Sequence, residues 1–81
     1  MKPIRYHEAA REEFIREVRY YTGISRSLGE RFDKAVQAAE AHAAESPDAG
    51  SPFLHGTRRV YPKRFPFSLV YLADEAEVFV I

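Results

Sequence analysis

Along the first half of this chain apolar residues recur every three or four positions. After a break rich in proline and glycine they gather into short runs, and that change of period limits the folds open to the chain. Ala10, Phe14, Val18 and Tyr21 mark one face of an amphipathic helix that starts at Glu8 and ends near Gly23, with Glu12 placed four residues before Arg16 on its outer side. Ser27-Leu28-Gly29-Glu30 has the form of a capping box and predicts the start of a second helix. Its apolar positions are Leu28, Phe32, Ala35 or Val36, Ala39 and Ala43. It must stop close to Ser46, because Pro47 disfavours helical geometry in the residue before it. The narrow alanine-rich side lets the two helices close into a hairpin.

Before the hairpin, Lys2 to Tyr6 alternates around Ile4 and Tyr6 and is too short for a helix, so a short strand is expected. After it, Ser46 to Thr57 carries Pro47, Gly50, Pro52 and Gly56 and reads as a loop. Three runs rich in β-branched and aromatic residues follow: Arg58 to Tyr61, Phe67 to Leu72 and Val78 to Ile81. They predict a three-strand antiparallel meander. The expected order is β-α-α-β-β-β, an α+β layer in which the helical hairpin covers one sheet face, with residues 1–81 forming a single domain. A chain of 81 residues buries only about 60 to 70% of its unfolded surface, and with no cysteine it has no disulfide to help. The N-terminus has no apolar run like that of a signal peptide, and no segment approaches the roughly 18 apolar residues of a membrane span. A cytoplasmic protein that meets no membrane is expected.

The formal net charge is zero, yet residues 55 to 71 hold Arg58, Arg59, Lys63 and Arg64 and no acid. Four cations so close together predict a contact surface for an anionic partner, either a nucleic acid or an acidic protein segment, since the whole molecule lacks a long-range positive field. The competing reading is a solvated strand face whose charges discourage aggregation. Phe65-Pro66-Phe67 could stack bases, but reads better as a strand entry with proline outside the ladder and one ring in the core. Tyr6, Tyr20, Tyr21 and Tyr61 are expected in the core or at its rim. His7, His42 and His55 share no metal-binding spacing, and no glycine-rich phosphate loop or nucleophile elbow is present, so neither metal nor cofactor is expected.

Three pieces, "IRYHEAAREEFIREVRYY", "SLGERFDKAVQAAEAHAAESPDAG" and above all "RRVYPKRFPFSLVY", resemble the RelE/ParE superfamily of type II toxins, in particular its ParE-like, plasmid stabilisation branch. The resemblance implies a growth-inhibiting cytoplasmic toxin, bound in a hetero-oligomer by a cognate antitoxin and acting on DNA gyrase, or alternatively a ribosome-dependent mRNA endonuclease. A third reading is an inactive remnant that only binds antitoxin. Ser68 stands where the ribonuclease branch usually carries an arginine before the aliphatic pair of its central strand. The chain also stops at Ile81, short of the C-terminal tail common in the superfamily.

Metal-independent RNA cleavage needs an acid, a base and cations to hold the phosphate. The cations are here, but His55 falls in a loop and Tyr71 on a face expected to be buried, so no catalytic pair stands out. Val78 to Ile81 is expected to present an unpaired strand margin, open to strand addition by the antitoxin and leaving the free chain dependent on it.

Overall fold

The structure is a computed structural model and describes residues 2–81. Two helices, α1 (Glu8–Ile24) and α2 (Arg26–Glu45), lie on one face of a five-stranded mixed sheet made of β1 (Ile4–Tyr6), β2 (Ser51–Pro52), β3 (Arg58–Val60), β4 (Leu69–Ala73) and β5 (Val78–Val80). The α+β class and the helical hairpin agree with expectation. The sheet is richer than a meander beside a lone strand. Its order is β1-β5-β4-β3-β2, with β1 parallel to β5 and the other neighbours antiparallel.

Two corrections concern strands. The segment read as a plain loop contains β2, which pairs Ser51 with Arg59 and Pro52 with Arg58, flanked by short 3-10 turns at Pro47–Ala49 and Leu54–Gly56. Prolines and glycines marked the turns and hid the two paired residues between them. The larger correction is β5. It is not a margin but an interior strand, paired on both sides, with Val78 and Val80 buried. Ile81 continues the pairing by donating its amide to Val70 O (2.8 Å). The sheet edges are β1 and β2 instead. Both are short, and Pro3, Arg5 and Pro52 make them poor templates for an added strand.

The helices join through one residue. Ser25 has extended geometry (φ −160°, ψ 148°); its amide closes α1 on Tyr21 O (3.1 Å), and its hydroxyl accepts the Leu28 amide (3.0 Å) to open α2. The expected capping box at Ser27 is therefore displaced by two residues, and Glu30 instead pairs with Arg26 at 3.5 Å. Glu12 and Arg16 are exposed as expected but form no ion pair; those among the described residues are Arg5–Glu77, Arg26–Glu30 and Arg58–Asp48. At the other end of α1 the Ala9 amide donates to His7 Nδ1 (3.2 Å). The hairpin closes tightly at Gly29, where an added Cβ would lie 2.1 Å from Thr22 Oγ1.

Phe32, Val36, Ala39, Ala43 and Ala44 of α2 form the core with Leu69, Tyr71, Val78 and Val80 of the sheet. Phe32 is its centre: Tyr21, Phe65 and Phe67 pack on it with ring centroids 4.8, 5.1 and 5.3 Å away. Phe65-Pro66-Phe67 thus serves packing. Tyr6 spans the layers by donating to Glu40 on α2, and burial first, then that hydrogen bond, pushes its hydroxyl pKa upward. Tyr20 and Tyr61, expected at the core or rim, are 61% and 56% exposed. Among the described residues no helix is long and apolar enough to cross a membrane.

Candidate partner-binding face

Successive residues of a strand point to opposite faces, so the register assigns each side chain to one side of the sheet. Tyr71, Val80, Leu69 and Val78 face the helices. Arg59, Val70, Leu72 and Phe79, with Arg5 opposite Phe79, face away from them, and no helix covers that side. Leu72, Ile81, Phe53 and Tyr61 on or beside this open face are each more than a third exposed. A small sheet with one bare face of this composition is suited to holding something against it.

The four cations singled out in the sequence do not share one surface. Arg58 and Arg59 are neighbours on β3 and point to opposite faces. Arg58 turns to the helix side, donates from Nη1 to Gly50 O (2.8 Å) and holds the segment after α2 in place. Its second contact, Asp48 at 4.0 Å, is with a fully exposed carboxylate and adds little. Tyr71 Oη works on the same segment, donating to Pro47 O (2.7 Å). Gly50 lets the backbone pass that hydroxyl, since a Cβ there would come within 2.4 Å of it. Lys63 and Arg64 are exposed on the turn between β3 and β4, where Arg64 has left-handed geometry (φ 70°).

Arg59 is the cation of the open face. Its guanidinium carbon lies 4.4 Å from the centroid of the Phe53 ring and 5.3 Å from that of Tyr61. Its Nε is buried without a hydrogen-bond partner. Two aromatic contacts at this range offset about 1–2 kcal/mol of the guanidinium's desolvation, while an unpaired buried donor costs about 1–3 kcal/mol. Arg5, at the opposite end of the same face, differs: it lies over Phe79 (5.2 Å) and is neutralised by Glu77 at 3.1 Å. Arg59 therefore supplies an uncompensated charge, fixed by two rings, on an apolar field. That arrangement is suited to an oxyanion such as a carboxylate or phosphate.

Phe53 escaped the sequence reading because it sits among turn residues, although its return to the ladder is visible in the structure, its amide donating to Thr57 O (2.8 Å). Tyr71 is buried and committed to Pro47, and His55 is exposed with left-handed geometry (φ 56°) in the turn before β3. Ser68 immediately precedes β4 and is half-buried. Compared with known protein families and with curated proteins, the chain matches none.

Proposed function

We propose that this chain is the toxin subunit of a RelE/ParE-like toxin-antitoxin pair, of the ParE-like kind, which binds DNA gyrase in the cytoplasm and is neutralised by its cognate antitoxin. The observation that carries the reading is Arg59, unpaired and braced by Phe53 and Tyr61 on the uncovered face of the sheet. An arginine keeps its proton at every physiological pH, so it recognises an anion and does not serve as general acid or base. With Tyr71 Oη engaged by Pro47 O and Ser68 in place of a cation, the face is better suited to binding than to cutting RNA. The order of strand, helical hairpin and antiparallel strands, together with the Arg58 to Tyr71 segment, supports the superfamily assignment.

The purified chain should inhibit supercoiling by gyrase in vitro, and Arg59→Ala should weaken inhibition at least tenfold while the protein stays folded. Ribosome-bound mRNA should survive incubation with it. Cleavage of that mRNA with gyrase unaffected would replace this reading by the endonuclease one, and inertness in both assays would favour a remnant.

A further inference from the structure

Alternation along the strands arranges the open face in rows that cross the sheet. The middle row is Arg5, Phe79 and Leu72, fixed by the pairing of Arg5 with Phe79 and of Phe79 with Leu72. On one side of it lies the row of Arg59 and Val70, which Ile81 extends through its bond to Val70 O. On the other side the ladder runs one bond further, from the Asp74 amide to Glu77 O (3.0 Å), into a turn that carries Asp74, Glu75 and Glu77. Asp74 and Glu77 stand two residues from Leu72 and Phe79 and so share their side. The face is therefore cationic along one border, apolar in the middle and acidic along the other. Arg5 pairs with Glu77 and the Lys2 ammonium donates to Asp74 O, so three carboxylates meet two cations and one negative charge is left over. Arg59 is the opposite excess at the far border, since among the described residues no carboxylate reaches it. Asp74 has room for such a cation: both amides of its turn go to Oδ1, and among the described residues Oδ2 accepts nothing.

We propose that this face is self-complementary and closes on a second copy of the chain, sheet against sheet, in an antiparallel pair. A two-fold axis along the middle row sets Leu72 and Phe79 of each copy against those of the other. Because that axis reverses strand direction, it also carries the acidic border of each copy over the cationic border of the other. Arg59 then meets a carboxylate of the second copy, Asp74 Oδ2 foremost, and the two excess charges cancel at both ends of the pair. Charge complementarity selects this occupant. A lipid surface or a nucleic acid would be drawn to Arg59 but repelled by Asp74, Glu75 and Glu77 at the other border, whereas a second copy satisfies both. Zero net charge leaves two copies free to approach. Five strands about 4.8 Å apart and up to five residues long give each copy a footprint of about 24 by 15 Å, small beside a standard interface. The pair is accordingly weak and exchanging, with Kd on the order of 100 µM. It covers Arg59, so on the function proposed above the dimer is a resting form; the pairing itself does not rest on that reading.

Sedimentation equilibrium of the whole chain from about 10 µM to 1 mM should show a monomer–dimer equilibrium that weakens in high salt. Dilution across the same range should move the amide signals of Val70, Leu72 and Phe79 and leave those of α2 in place. Leu72→Glu puts a charge at the axis from an exposed position, and should lower dimer affinity at least tenfold with the melting midpoint unchanged. Arg59→Glu repels the acidic border and should weaken the dimer as much. Asp74→Asn keeps the Oδ1 acceptor of the turn and removes only the charge, so it should weaken pairing several-fold in a chain that still folds. A chain that stays monomeric at about 1 mM, association indifferent to Arg59→Glu, or dilution shifts confined to the helices would overturn the proposal. So would open-ended aggregation in place of dimers, or binding of the monomer to phosphatidylglycerol vesicles without self-association. Because sedimentation needs no gyrase, a dimer without gyrase inhibition upholds the pairing alone, and inhibition without a dimer upholds only the proposed function.

Discussion

Arg58 and Arg59 are identical in type and adjacent in sequence, yet β3 gives them opposite duties. Replacing Arg58 by Ala frees Gly50 O and loosens the segment after α2, and should cost about 1–2 kcal/mol in urea denaturation. Arg59→Ala should stay within about 0.5 kcal/mol of the parent, because its aromatic contacts are offset by the relief of an unpaired buried Nε, while partner binding falls. A large loss of stability on Arg59→Ala would mean that its role is structural. The same segment offers a second test. Gly50→Ala forces a methyl against the Tyr71 hydroxyl and should cost about 1–3 kcal/mol. In the Tyr71→Phe background that cost should shrink, since the nearest atom in the clash is gone, and a double-mutant cycle measures the difference. Strict additivity would show that the two residues do not meet in solution.

The helical joint shows where local sequence chemistry leaves a choice open. Ser25 and Ser27 both stand at helix-start positions, and a capping box could be drawn only from the second, with Glu30. Ser25 prevails because one extended residue there ends α1 and starts α2, bringing Gly29 against Thr22. Ser25→Ala should therefore cost about 1 kcal/mol, and Ser27→Ala should be neutral or slightly stabilising, both read from thermal melts. Both helices, their stop before Pro47 and the strand cores were legible because period and proline are local signals. The two-residue β2 was not, because its pairing with β3 comes from register rather than from its own residues. In the turn between β4 and β5, Asp74 accepts the Glu77 and Ala76 amides (2.8 Å each), and these bonds hold its carboxyl below the usual carboxylate range. A carboxyl depressed in the folded state contributes stability above its unfolded value and loses it as pH falls through the folded one. Asp74→Ala should accordingly flatten the acid side of the stability profile and leave its alkaline side unchanged.

For the molecule as a whole, the decisive fact is that β5 lies inside the sheet. Expectation placed the last strand at an unpaired margin, and the parallel pairing with β1 encloses it instead. β1 and β5 thus depend on contacts between the two ends of the chain, supported by the His7 amide donating to Val80 O (2.7 Å) and the Val78 amide to Pro3 O (2.9 Å). Removing residues 78–81 should abolish cooperative melting altogether, an outcome that circular dichroism reads directly. The surface left uncovered is then the open sheet face around Arg59 rather than the edge of β5. Of the candidate site, the cations were legible from composition; their separation among three places was not, because it depends on alternation along β3 and on the turn that carries Arg64. We propose that the chain acts on gyrase through Arg59. The most direct measurement of this is induction in growing cells, without an antitoxin, of the parent chain and of Arg59→Ala at matched soluble levels. The account predicts filamentation and a DNA-damage response with bulk mRNA intact for the parent, and near-normal growth for Arg59→Ala. Normal growth of both, or early transcript cleavage by the parent, would contradict it.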